Sequence, residues 1–133
     1  MRKYLNDIGI KDKDLPWKWN PDDKRRPEWK EERKTYGFDE RDTWSLYYTL
    51  TLLTYERLKD YRDRAPVDMD QVDDTFGCNL FTFEDKDIVF GVAIDRILKS
   101  FENFLTAEGR DGFDDEFTKC WALLGVILPG LWW

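Results

Sequence analysis

The chain has 133 residues, 41% of them hydrophobic, 17% aromatic and 37% charged, with a formal net charge of −7 and no histidine. That much apolar surface excludes a disordered chain and suffices for a core without disulfide or metal. The missing histidine excludes His-based acid/base and nucleophilic chemistry, and Cys78 and Cys120 stand in no metal-ligand spacing, which excludes a zinc site.

Charge is unevenly divided. Residues 1–38 carry 11 basic and 8 acidic side chains, whereas residues 39–133 carry 10 and 20, so the body is a poor partner for duplex nucleic acid. The N-terminus MRKYLNDIGIKDKD is charged where a signal peptide needs an apolar run. The longest uncharged apolar run, Cys120 to Trp133, is 14 residues and is interrupted by Pro129. A soluble, intracellular, single-domain protein of residues 1–133 with reduced cysteines and no membrane partner is expected.

In chain order, residues 1–37 form an irregular arm with three prolines, three tryptophans and the basic triplet Lys24, Arg25 and Arg26. A short helix is expected over 27–34, where Pro27 takes the first turn. Each tryptophan serves either to staple the arm to the domain or, with the arginines, to make a binding surface. The helical core, 38–133, is expected to be all-α, with three main helices over about 39–62, 83–107 and 114–128 packed as a small bundle. Asp39 caps the first, with Glu40 and Asp42 in its opening turn. The dense apolar positions from Trp44 to Tyr61 predict a helix surrounded by other elements, the hub of the core.

The aspartate-rich stretch 67–80 lacks the glycine and glutamate of an EF-hand and reads as a solvated loop. Thr82 is the expected cap of the second helix. Its stripe is Phe90, Ile94, Ile97, Phe101 and Phe104; Gly109 is its expected end, and Gly91 a point of close helix crossing. Asp111 or Phe113 introduces the third helix, with Phe117, Cys120, Trp121, Leu124 and Leu128 inward, and Pro129 and Gly130 stop it. Trp132 and Trp133 then either fold back on the core or make an oligomer contact, so a homo-oligomer is among the expected assemblies.

The run Gly37-Phe38-Asp39-Glu40-Arg41-Asp42-Thr43-Trp44-Ser45-Leu46 with Arg57-Leu58-Lys59 resembles a group of small uncharacterised proteins of tailed bacteriophages and prophages. The Ile94 to Glu102 segment and the closing Leu131-Trp132-Trp133 are similar to that group as well. The resemblance implies phage origin and expression in the bacterial host cytoplasm. It transfers no catalytic residue.

No phosphate-cradling glycine loop, nucleophile elbow, Walker or Rossmann fingerprint is present, so neither an enzyme nor a cofactor is expected. The candidate ligand-binding set is Lys24, Arg25, Arg26, Trp29, Arg41, Trp44 and Tyr48. Arg41, Trp44 and Tyr48 at i, i+3 and i+7 share one helical face, where a guanidinium would stand over an aromatic wall. The alternative is ordinary core, with Arg41 paired to Asp42 or Glu40.

The function expected from this set is a non-enzymatic phage counter-defence protein that sequesters a small nucleotide immune signal. An acidic inhibitor of a host defence protein, acting as an anti-CRISPR-like or nucleic-acid mimic, is the alternative; a phage assembly accessory is a third. Arginines converging on aromatics mark the first, and acidic side chains on one continuous face mark the second.

Overall fold

The computed structural model describes residues 3–66, 68–71, 79–107 and 113–132. It is mostly helical, with five α-helices and one two-stranded sheet among those residues. None of these helices is long and apolar enough to cross a membrane. Contacts divide the chain into two compact units, Met1–Glu56 and Arg57–Trp133, and the division falls inside the third helix.

Unit 1 opens with three 3-10 turns, Asn6–Ile8, Asp12–Asp14 and Pro16–Lys18, which bury Leu5, Ile10, Leu15 and Pro16 between them. Helix α1, Arg26–Tyr36, starts with Pro27 in its first turn and ends at Gly37, whose φ of 84° lets its N–H close onto the Arg33 carbonyl. Asp39 then caps the one-turn helix α2, Glu40–Thr43: its side chain accepts from the Arg41 N–H, and the Asp42 carboxylate accepts from the Asp39 N–H.

The expected continuous helix over 39–62 is therefore two helices. Trp44 is extended and Ser45 takes φ 48°, after which α3 runs Leu46–Arg64. The break turns the Trp44 ring against Trp29 in an edge-on pair, centroids 5.5 Å apart, a contact that a continued helix would forgo. Nor is α3 surrounded on all sides. Thr49, Thr51, Leu52, Tyr55 and Leu58 are buried along one stripe, whereas Leu46, Tyr47 and Leu50 are each about half exposed, at 50%, 49% and 46%.

In unit 2 the closest helix packing is between α4, Phe90–Thr106, and α5, Asp115–Ile127. The expected α4 stripe of Phe90, Ile94, Ile97, Phe101 and Phe104 is buried. Asp114 caps α5 by accepting from the Phe117 N–H, and α5 buries Phe117, Cys120, Leu123 and Ile127. This stripe is rotated from the expected one, so Trp121 and Leu124 are half-buried and Leu128 is exposed. The Phe104 and Phe117 rings stack at 4.1 Å, and Arg96 of α4 holds Glu116 of α5 at 2.7 Å.

The second expected helix, 83–107, starts seven residues late because its first part is strand. Leu80–Phe83 (β1) pairs antiparallel with Lys86–Val89 (β2), and Thr82 lies in β1 opposite Asp87 instead of capping a helix. Aromatic Phe81 and Phe83 with β-branched Thr82, Ile88 and Val89 favour strand, and Glu84 and Asp85 make the two-residue turn with φ 54° and 61°. An all-α description is thus corrected by this hairpin.

Gly91 does sit at a close approach, but to a side chain and not a helix: a Cβ there would lie 2.1 Å from Asp70 Oδ1, where Asp70 and Asp95 both bond Arg62. The expected helix end at Gly109, the introducing Asp111, and Asp73, Asp74 and Cys78 lie outside the described residues. The chain's last turn is secured by Tyr61, whose hydroxyl donates to the carbonyls of Gly130 and Trp132 at 3.1 Å each. The Trp132 ring itself is 69% exposed, and Trp133 lies outside the described residues.

Two glycines near the C-terminus differ in what surrounds them. A Cβ on Gly130 would come within 2.9 Å of Phe81 Cζ and 3.4 Å of Phe90 Cζ, whereas one on Gly125, inside α5, meets nothing within 4 Å. In urea titrations of the intact chain, Gly130→Ala should lower stability by about 1–3 kcal/mol, the usual cost of overpacking. Gly125→Ala should raise it by about 0.5–1 kcal/mol through helix propensity. Equal effects would contradict this placement of the C-terminal turn.

Candidate binding cleft

The polar centre of unit 1 is Asp39, whose side chain has no exposure. Four donors reach its two oxygens: Arg41 N at 2.9 Å and Nε at 3.0 Å on Oδ1, and Arg41 Nη2 at 2.8 Å and Arg33 Nε at 3.1 Å on Oδ2. Burial pushes this carboxyl up, but the Arg41 side-chain and backbone bonds, with Arg33 behind them, outweigh that and hold it below its ordinary value. Arg41 donates onward to the Trp19 carbonyl at 3.0 Å, and Arg33 to Asp42. The alternative pairing of Arg41 with Asp42 or Glu40 is thus replaced by a buried pair with Asp39.

Tryptophans fill the space between these guanidiniums. Arg41 lies over the Trp29 ring at 4.6 Å and Arg25 at 5.0 Å from the same ring, while Arg25 also covers Trp44 at 5.2 Å and Arg33 covers Trp17 at 5.5 Å. Trp29 is fully buried, and its indole N–H donates to Glu40 at 2.9 Å. Arg25 is held by Asp23 through two side-chain bonds of 3.0 and 3.1 Å, and these bonds bring the Asp23 carboxyl down to about 2.

Beside this lattice lies an open cleft of about 560 Å³. Trp17, Lys18, Pro21 and Asp22 line one part of it, Arg26, Trp29, Lys30, Arg33 and Lys34 of α1 another, and Asp39 and Arg41 complete it. Among the described residues, Lys18, Arg26, Lys30 and Lys34 enter no ion pair, so four cations are uncommitted while Arg33 and Arg41 are spent on Asp39. No group of three or more acidic, Cys or His side chains among the described residues could hold a metal ion.

Of the seven residues expected to bind ligand, Arg26, Trp29 and Arg41 line the cleft. Arg25 and Trp44 pack on Trp29 without lining it, Lys24 is exposed outside it, and Tyr48 lies against Trp19 with centroids 6.2 Å apart. The shared face of Arg41, Trp44 and Tyr48 does not form, because the helix breaks between them. Sequence reasoning missed Trp17, Lys18, Lys30, Arg33 and Lys34. Arg26, Lys30 and Lys34 stand four apart, the last two on the short helix expected over 27–34 and Arg26 one residue before it, and that periodicity was the available signal.

Removing the Asp39 carboxylate leaves two guanidiniums without their partner and α2 without its cap, so Asp39→Ala should cost about 3 kcal/mol. Because the folded-state value is depressed, the stabilisation from Asp39 is full above its unfolded value of 3.8 and is lost as pH falls through the lower folded one. Denaturation midpoints of wild type should therefore drop below about pH 4 more steeply than those of Asp39→Asn. Parallel acid titrations of the two would refute this role for Asp39. Comparison with protein-family models, characterised proteins and solved structures finds no match to the chain.

Proposed function

We propose that the chain is a non-enzymatic binding protein that holds a phosphate-bearing, nucleotide-type ligand in the unit 1 cleft. We read its role as sequestration in phage counter-defence, an expectation motivated by the arginine/aromatic set together with the resemblance to small tailed-phage proteins, and its place of action as the host cytoplasm. The observation that carries the reading is the gathering of Lys18, Arg26, Lys30 and Lys34, none in an ion pair among the described residues, around one cleft. Unneutralised like charges along one wall repel, and an anionic ligand relieves that repulsion while gaining charge-assisted bonds. The cleft volume lies in the range of small-molecule sites.

Stacking supports the reading less broadly than the sequence implies. Trp29 is buried with Arg41 and Arg25 both against its ring, and Arg33 lies against Trp17, so a base would share the Trp17 ring with that guanidinium. Asp39 is held ionised with both oxygens engaged, an arrangement suited to positioning arginines and not to moving protons.

The inhibitor reading draws on unit 2, which has 16 acidic and nine basic side chains. Arg62 and Arg96 draw Asp70, Asp95 and Glu116 into pairs, which reduces the acidity offered to a partner.

Calorimetry of the intact chain with mononucleotides, cyclic dinucleotides, short oligonucleotides and ADP-ribose derivatives should give at least one ligand of micromolar affinity, about −8 kcal/mol. The double substitution Lys30→Glu and Lys34→Glu should weaken it by more than tenfold, and Trp17→Ala should cost roughly 1–3 kcal/mol if a base stacks there. Silence from every nucleotide, with capture of a host defence protein instead, would move the conclusion to the inhibitor.

A further inference from the structure

We infer that the cleft selects a short single-stranded oligonucleotide, a ligand whose phosphates are spaced by sugars, over a mononucleotide or a pyrophosphate-bearing nucleotide. This rests on the cleft being the ligand site and adds the class of ligand. Arg26, Lys30 and Lys34 occupy positions i, i+4 and i+8 of α1, an unbroken helix of 11 residues, and all three line the cleft. Four residues of helix advance roughly 6 Å, so the row has three rungs over about 12 Å. The phosphorus atoms of a pyrophosphate share one bridging oxygen and lie closer together than the rungs, so two side chains must converge to reach both. Successive phosphodiesters, with a ribose between them, fit one phosphate to each.

The type of cation points the same way. A terminal phosphate is best gripped by several fixed guanidinium forks, yet Arg33 and Arg41 are already bound to Asp39 and also to Asp42 and the Trp19 carbonyl, which leaves Arg26 as the one uncommitted guanidinium of the cleft among the described residues. Lys30 and Lys34 are point charges on flexible stems, which follow a backbone without fixing one phosphate geometry. The half-buried ring of Trp17, which Arg33 also covers, lines the cleft beside the row, and a base of the same strand would stack against what that guanidinium leaves of it. Asp22, the exposed carboxylate of the cleft, repels phosphates from its own side and leaves the α1 wall as the favoured track.

The test is titration of the full chain with 5′-phosphorylated oligothymidylates of one to four nucleotides, with ATP and with inorganic pyrophosphate, each at several salt concentrations. The trimer should bind at least tenfold tighter than the monomer and ATP. Its log affinity should fall against log salt with a slope near −2, about −0.7 for each of three phosphates. Lys30→Gln and Lys34→Gln should each reduce that slope by about 0.7, while Lys24→Gln, exposed and outside the cleft, should leave it unchanged. Equal affinities and slopes for monomer, ATP and trimer would overturn the selectivity while leaving the cleft as a ligand site. A trimer slope indifferent to Lys30 and Lys34 would overturn the assignment of the row. No binding by any of these probes would remove the cleft reading itself.

Discussion

Unit 1 is built around the cost of burying one negative charge. An ionised carboxylate out of water is stable only with its lone pairs occupied and opposite charge close by, and Asp39 meets both demands through Arg33, Arg41 and the α2 backbone. Those two arginines carry the constraint outward. One reaches the Trp19 carbonyl and lies on Trp29; the other bonds Asp42 and covers Trp17. The same carboxylate therefore caps a helix, positions two guanidiniums and, through them, meets two indoles and one backbone carbonyl. A consequence is a division of labour among the cations, with the arginines nearest Asp39 structural and the lysines of α1 left for solvent or ligand.

This division explains what could be read from the sequence. Local signals were legible: the Asp39 cap, Pro27 in the first turn of α1 and the 4-3-4-3 stripe of α4 depend on neighbours a few residues away. The break at Trp44 and Ser45 was not, because no glycine or proline marks it; it goes with the pairing of Trp44 on the Trp29 ring, fifteen residues before Trp44. The hairpin over 80–89 was lost to a reading of Glu84, Asp85 and Asp87 as a helix first turn, a role acidic residues fill often. Strand pairing needed both arms of the alternating pattern to be weighed together.

The candidate site was legible by residue type but not by membership. Arginine and tryptophan were rightly singled out as partners, and Arg25, Arg33 and Arg41 do lie on indoles. What sequence could not tell is that these contacts consume the rings. Arg25 and Trp44 were chosen for their chemistry and turn out to satisfy one another, while Lys30 and Lys34, unremarkable in sequence, line the opening. A residue already engaged with its neighbours has little left for a ligand, and engagement is a property of the fold.

The cleft wall is made of lysine and arginine, in a chain with no histidine anywhere. Between pH 5 and 8 the wall therefore has no side chain of the one type that ordinarily gains or loses its proton there. Acidification of a compartment would be a poor means of emptying such a site, and ionic strength a strong one. A polyanion held there would be set free by competing salt or by destruction of the protein, and at steady ionic strength it would stay for as long as the protein does.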